Sequence, residues 1–252
     1  MVVGVLLAAG ASSRMGQSKP LVKKGSETFA AHAIRTLWRS CGCVVTVLGA
    51  NAEAVQAGIE EEFARLVERG QLHIDLLRAR NESREDLEVR FVTNPRWKDG
   101  MLASVQTGLA EALMLKPDAV MVHPVDHPDV APDTVAMLSR MMLDALSASK
   151  PAERKKFSYG VVPRYRGLRG HPVMLSPALA AAVRGDRDAS DLSDAIRRHC
   201  RLLGYIDVDD PGITRNVNGP AELKKATATK KATITKKATV TRTASRAKRR
   251  AS

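Results

Sequence analysis

Aromatic side chains are scarce in this chain: four Phe, three Tyr and two Trp make up 4% of its 252 residues. A chain of this length can still bury a sizeable core, so that core must rest on Ala, Val, Leu, Ile and Met. Cysteine is scarce too, at three residues: Cys41, Cys43 and Cys200. An odd count, with no second pair and no histidine at zinc-finger spacing, argues against a disulfide scaffold and a structural zinc site. Reduced, buried thiols in a cytoplasmic protein are the expectation. Cys41 and Cys43 flank Gly42 at the start of an expected strand, where alternation puts both side chains on one face. No apolar run is long enough to cross a membrane. The apolar run at the N-terminus is short, has no basic region before it and leads straight into a glycine loop. It is not built like a secretory signal.

Acidic residues are missing from one stretch. Residues 224–252 hold 11 Lys and Arg and no Asp or Glu. The net charge of +13 is therefore mostly a tail, and the other 223 residues carry 29 basic against 27 acidic groups. Three near-copies of one unit, Lys-Lys-Ala-Thr-Ala-Thr and its Ile and Val versions, precede an Arg-rich end. Such composition cannot bury a core and is expected to be disordered. It suits nonspecific contact with nucleic acid or another polyanion, or no dedicated partner at all, since no aromatic residue interleaves for base stacking.

What the chain does have is concentrated at its start. Val2-Val3-Gly4-Val5-Leu6-Leu7 reads as a buried strand. It breaks into Ala8-Ala9-Gly10-Ala11-Ser12-Ser13-Arg14-Met15-Gly16, with Lys19 close behind. A loop of small residues after a strand brings backbone N–H groups close to an occupant, and an Arg and a Lys beside it suit an anion. Gly-rich corners also arise from packing alone. The spacing is not that of a P-loop, because Gly10 and Gly16 are too far apart and Lys19 does not follow a glycine. Nor is it a dinucleotide fingerprint: Ser12 stands where the second glycine belongs, and the next strand ends in Gly49-Ala50-Asn51 with no acid.

Further along, helical periodicity predicts helices over 30–39, 52–68, 101–115 and 132–148, with Ser176-Pro177 opening another. Apolar runs predict strands over 44–48, 89–92, 119–122, 159–163, 172–175 and 203–208. Residues 70–88 are polar and irregular and read as an insertion or a weakly specified helix extension. Alternating strands and helices imply an α/β fold with a mainly parallel sheet, whose ligands sit beyond the carboxyl ends of the strands.

Four segments carry chemistry at those ends. Asp126, in Pro-Val-Asp-His-Pro, is a carboxylate leaving a buried strand, fit either to hold Mg²⁺ or to cap a turn. Asn94-Pro95-Arg96-Trp97-Lys98-Asp99-Gly100-Met101-Leu102-Ala103-Ser104 opens a helix. Arg169-Gly170-His171-Pro172-Val173 forces a sharp backbone path. Asn216-Val217-Asn218-Gly219-Pro220-Ala221-Glu222-Leu223 closes the body.

Taken together, L-A-A-G-x-S-x-R-M-G-x-x-K, the aspartate before Pro128, N-P-x-W-x-x-G-M-x-x-S, R-G-H-P-V and the closing N-V-N-G-P-A-E-L resemble the MobA-like nucleotidyltransferase family. The opening L-A-A-G is most similar to its molybdenum cofactor cytidylyltransferases. The resemblance covers residues 1–223 and implies a three-layer α/β/α Rossmann-like fold with a mainly parallel mixed sheet. It implies that Leu7, Ala8, Ala9, Gly10, Ser12, Ser13, Arg14, Lys19, Asn94, Gly100, Met101 and Ser104 bind the nucleotide. Arg14, Lys19 and Asp126 would be catalytic, and Asp126 and Asn218 would hold Mg²⁺. Arg169, Gly170 and His171 would receive the acceptor, with His171 as a cation beside its phosphate. His127 falls on a variable position of the motif and is given no ligand role.

The implied reaction moves CMP from CTP to the terminal phosphate of molybdopterin, with contact to a molybdoenzyme or a cofactor-insertion protein. Two departures stand out. Asn218 is an uncharged amide where the cytidylyltransferase form of the family has an aspartate, which weakens metal binding and leaves GTP open as donor. Asp188 replaces the second glycine of a G-D-x-G-A stretch. The rival readings are another phosphorylated acceptor, and a nucleotide-binding, DNA-associated protein working through its tail. Removing residues 224–252 is expected to leave nucleotidyl transfer nearly intact. A large loss of turnover in the truncated protein would place the tail in the site, and loss of salt-sensitive DNA retention alone would favour the DNA-associated reading.

Overall fold

The computed structural model describes residues 1–11, 17–69, 88–149, 156–219 and 222. The expected insertion and the basic tail lie outside the described residues, except that Glu88, assigned above to the insertion, opens a strand.

The sheet is organised by β1 (Val2–Leu7), in which every residue is buried. A strand rich in β-branched residues with apolar groups on both faces needs a layer on each side. β4 (Cys43–Leu48) and β6 (Ala119–Pro124) flank it in parallel. Outside β4 lies β5 (Glu88–Thr93), also parallel. Beyond β6 come β9 (Val173–Leu175), β7 (Tyr159–Tyr165) and β10 (Leu202–Asp207), so the order is β5-β4-β1-β6-β9-β7-β10. β9 runs antiparallel to both its neighbours, while β10 is parallel to β7. The short β8 (Leu168–Arg169) folds back on β7. β2 (Lys23–Lys24) and β3 (Glu27–Thr28) form a separate hairpin.

Alternation along the strands builds two cores. Val2, Leu6, Val44, Leu48 and Met121 face one side with α1 (Phe29–Trp38), α2 (Ala52–Glu68) and α4 (Pro132–Ala148). Val3, Val5, Val45, Val47 and Val122 face the other with α3 (Met101–Met114), α5 (Pro177–Gly185) and α6 (Leu192–His199). The three-layer architecture is therefore the expected one. Each fully buried Val or Leu contributes about 1.5–3 kcal/mol, enough to set the register of the central strands.

Most expected elements recur within one or two residues. Two expectations are corrected. Cys41 and Cys43 do not share a face: Cys43 begins β4 and packs with Val45 and Val47, whereas Cys41 precedes the strand and packs with Leu37 in the opposite core. The stretch Gly185–Leu192 leads into α6, an unforeseen helix whose N-cap is Asp191, with its side chain accepting from Asp194 N. α6 is only eight residues long and mostly polar; Leu192, Ala195 and Ile196 keep helical spacing and are buried, but three apolar residues make a short signal.

Gly108 positions α3. A Cβ there would collide with Val5 and Val47 on the sheet, so the helix is seated as close as backbone allows. Its N-terminus is thereby delivered to the carboxyl end of β1. Gly108→Ala is expected to destabilise the protein by about 1–3 kcal/mol through overpacking, despite the better helix propensity of alanine. Urea unfolding curves check this, and an unchanged or raised midpoint would mean that the helix can back off the sheet.

Candidate functional site

Loops from both halves of the sheet meet at one edge and are tied together by backbone hydrogen bonds. Ala8 N donates to Val47 O (2.9 Å), Val125 N to Leu7 O (3.1 Å), and Asn94 N to Leu48 O (2.7 Å). The return segment after β10 is held the same way, by Val217 N to Asp126 O (2.8 Å). Because β9 runs backwards, its amino end, preceded by His171, reaches the same edge.

Two cavities open there. The smaller, about 270 Å³, is lined by Leu7, Ala8, Ala9, Gly10, Lys19, Gly100, Met101, Ser104 and Asp126, with Trp97 and Pro20. The larger, about 870 Å³, is lined by Arg169, Gly170 and His171 together with His127, Tyr205 and the start of α6. Met101 lines both. The fold thus brings together eight of the expected nucleotide-site residues, with Asp126, in one cavity and the three expected acceptor residues in its neighbour. Ser12, Ser13 and Arg14 lie outside the described residues.

Gly100 ends a single 3-10 turn (Trp97–Asp99) with φ 104°, a conformation that favours glycine. It turns the chain into α3 so that Ser104 faces the cavity. Asn94 plays a different part from the expected one. It is buried, its Nδ2 donates to Ser104 Oγ (3.0 Å), and its Oδ1 accepts from Arg96 N (2.9 Å). It stands behind the wall and orients Ser104.

The charged centre is Lys19, Asp126 and Asn218. Lys19 Nζ donates to Asn218 Oδ1 at 2.8 Å and lies 3.7 Å from Asp126 Oδ2. Asp126 Oδ1 is taken by His127 Nδ1 at 2.9 Å. Burial alone would raise the Asp126 carboxyl, but the bond and charge of His127 and the Lys19 ammonium outweigh it and hold its pKa below the ordinary value. A carboxylate and an amide oxygen converging on one cation are the hard oxygen donors that Mg²⁺ takes, with substrate phosphates and water completing its shell. The ammonium already bridging them shows that a positive charge fits between these two groups.

His171 is corrected. Burial and nearby His127 push its pKa down to about 4, so it is neutral near pH 7. The cations on that wall are Arg169 and Arg197; the Arg169 guanidinium lies 5.2 Å from the Tyr205 ring centre, with Arg164 on the same ring at 5.0 Å. Two further residues had no place in the sequence reading. Asp210 is buried; its Oδ2 accepts from Ala131 N and Thr134 Oγ1 at the start of α4 (2.8 and 2.7 Å). Asp186 holds the G-D-R-D-A-S-D-L turn through Asp188 N and Ala189 N. Only the crowding of acids in those segments hinted at either. Asp209, beside Asp210 in the same acidic run, is exposed.

With this geometry in view, the profile of the MobA-like NTP transferase domain matches residues 4–202. The chain belongs to the MobA-like NTP transferase family. It is 32% identical over 225 residues to the nicotine blue oxidoreductase of Paenarthrobacter nicotinovorans, covering 86% of this chain and 92% of that one. The MobA-like fold is shared with a nucleotidyl transferase from Methanothermobacter thermautotroptrophicus (TM-score 0.61, 19% identity, 89% of this chain and 95% of that one). It is shared also with molybdopterin-guanine dinucleotide biosynthesis protein A from Archaeoglobus fulgidus (TM-score 0.51, 16% identity, 90% and 97%).

His123, on β6, is buried with no hydrogen-bond partner at Nδ1, and burial pushes its pKa from 6.5 down to about 3. An unfolded His123 binds its proton first, so stability falls as pH drops below about 6.5 and goes on falling toward pH 3. Between pH 6.5 and 5 the loss is on the order of 2 kcal/mol for this one group. His123→Leu is expected to flatten the slope of urea-derived stability against pH by that amount. A mutant as pH-sensitive as the parent would place the acid lability elsewhere.

Proposed function

We propose that the protein transfers a nucleoside monophosphate from a nucleoside triphosphate to a phosphorylated acceptor, with CTP as donor and molybdopterin, in its molybdenum-loaded form, as acceptor. The observation that carries this reading is the placement of Lys19 and Asp126 on the wall of a small-residue loop cavity, with Asn218 bonded to Lys19, beside a second cavity with a cationic wall. Support for CTP comes from the L-A-A-G opening, and support for the acceptor from the R-G-H-P-V segment.

The loop after β1 offers backbone N–H groups to the triphosphate, and Lys19 and Arg14 offset its charge. Asp126 and Asn218 would hold a divalent cation, Mg²⁺, that neutralises charge on the phosphates. Ser104 and the Gly100 turn border the nucleoside. Arg169 draws the acceptor's phosphate into the neighbouring cavity, while neutral His171 offers hydrogen bonding without charge. An acceptor phosphate oxygen attacks the α-phosphorus in line, and the bond to pyrophosphate breaks. A phosphate nucleophile is already ionised near pH 7, so the chain needs no general base. Positioning and charge stabilisation carry the rate.

A second reading is favoured by one observation: the relative at 32% identity is named for an oxidoreductase activity. A phosphate-binding loop also suits a redox dinucleotide. Against it stand Ser12 in place of the fingerprint glycine and the absence of an acid after β4, where a ribose 2′-OH would be bound.

Pyrophosphate release with Mg²⁺ separates these readings, measured with CTP, GTP, ATP and UTP, with and without molybdenum cofactor. Release with CTP only when the cofactor is present is the expected result. Release with GTP keeps the class and changes the donor. No release with any pair, together with oxidation of a reduced nicotinamide cofactor, would support the redox reading. Lys19→Ala and Asp126→Ala are each expected to lower turnover at least 100-fold, on the order of 3 kcal/mol of transition-state stabilisation, with the far-ultraviolet circular dichroism unchanged. Unimpaired transfer in both would remove the site.

A further inference from the structure

His127 sits on the boundary of the two cavities. Its Nδ1 lies 2.9 Å from Asp126 Oδ1, and Asp126 lines the nucleotide-side cavity. The His127 side chain itself lines the acceptor-side cavity. It is buried, and its ring stands edge-on to that of His171, with centroids 4.9 Å apart. An ionised carboxylate only accepts hydrogen bonds, so Nδ1 carries the proton that is donated. This leaves one carboxylate oxygen committed to His127 and the other, Oδ2, facing Lys19 at 3.7 Å. Packing against His171 restricts the imidazole, so the carboxylate is fixed through it. Groups that orient a ligating carboxylate in this way typically alter metal affinity about 10- to 100-fold when removed.

We propose that His127 is a positioning residue that fixes Asp126 with Oδ2 turned to the cation, and does so from the acceptor wall. The two cavities are then joined by one rigid imidazole–carboxylate pair rather than by mere proximity. This proposal rests on the nucleotidyl-transfer reading.

The test uses full-length protein, Mn²⁺ as a paramagnetic probe and CTP. Mn²⁺ binding in the presence of CTP is followed by electron paramagnetic resonance, and KM and kcat are taken from pyrophosphate release. His127→Phe keeps a ring against His171 and removes the donor. It is expected to weaken Mn²⁺ binding about tenfold and to lower kcat at saturating CTP. His127→Asn keeps an N–H near Nδ1 and is expected to recover most of both. If the Phe variant does not fold, His127→Ala removes the donor without added bulk and carries the same expectation. A folded Phe or Ala variant that binds Mn²⁺ as tightly as the parent, with only the acceptor KM raised, would make His127 a plain cavity wall and overturn the proposal alone. A parent protein that binds no Mn²⁺ and releases no pyrophosphate with CTP, GTP, ATP or UTP would overturn the nucleotidyl-transfer reading and this proposal with it.

Discussion

A strand buried on both faces has no room for polar side chains along its length, and β1 is such a strand. Its partners β4 and β6 are buried throughout as well. Polar groups that serve a ligand therefore have to wait until the chain leaves the sheet. Since β1, β4, β5 and β6 all run the same way, they leave at one edge. The location of the site is in this sense a consequence of core burial, before any functional residue is considered. Two exceptions test the rule: Thr46 inside β4 keeps a buried hydroxyl without a partner, and His123 inside β6 is held neutral, with Nδ1 unpartnered. The histidine is the one that titrates. Its cost appears only as acid lability.

At that edge the problem is reversed, because charges must be kept close without water to screen them. Lys19, Asp126 and Asn218 solve it by sharing one cation among two oxygen groups, and His127 takes the remaining carboxylate oxygen. The loop that follows is fixed by a second ionic cluster: Lys24 pairs with Asp129 and also donates to Pro128 O, while Arg215 reaches the other Asp129 oxygen at 3.4 Å. Asp210 adds its bonds to Ala131 and Thr134. Residues 210–218 are thus fastened to the Asp126 loop at several points. This is how Asn218, far away in sequence, is brought to Lys19.

The sequence makes the central strands, the glycine loop and Asp126 legible because each follows from a local rule: apolar runs make buried strands, and ligands gather where parallel strands end. The neighbouring cavities were legible through motif spacing. What it hid was side-chain partnership. Asn94 matched its motif yet turns inward to Ser104, because a buried amide must satisfy both its ends and the nearest groups were protein groups. The resemblance implies a cation at His171, and only the fold shows that its Nδ1 is buried next to His127, which keeps the ring neutral. Cys41 and Cys43 were placed on one face because alternation was assumed to begin one turn too early. α6 is hard to read from sequence because its apolar face is only Leu192, Ala195 and Ile196, too few residues to stand out although their spacing is helical.

A relative at 32% identity is named for an oxidoreductase activity, so membership of the family does not by itself choose a reaction. On the nucleotidyl-transfer reading two residues of this chain bear on that choice: Asn218, an amide that would offer a cation no charge, and His127, which holds one oxygen of the Asp126 carboxylate. A site with one formal negative charge depends more on the orientation of that charge than a site with two. A paired-carboxylate centre can hold a divalent ion with one group askew, because attraction from the second compensates. With an amide as the second donor, misorientation of Asp126 has no such compensation. The weaker donor and the rigid histidine beside the stronger one belong to the same solution, and the second makes the first tolerable.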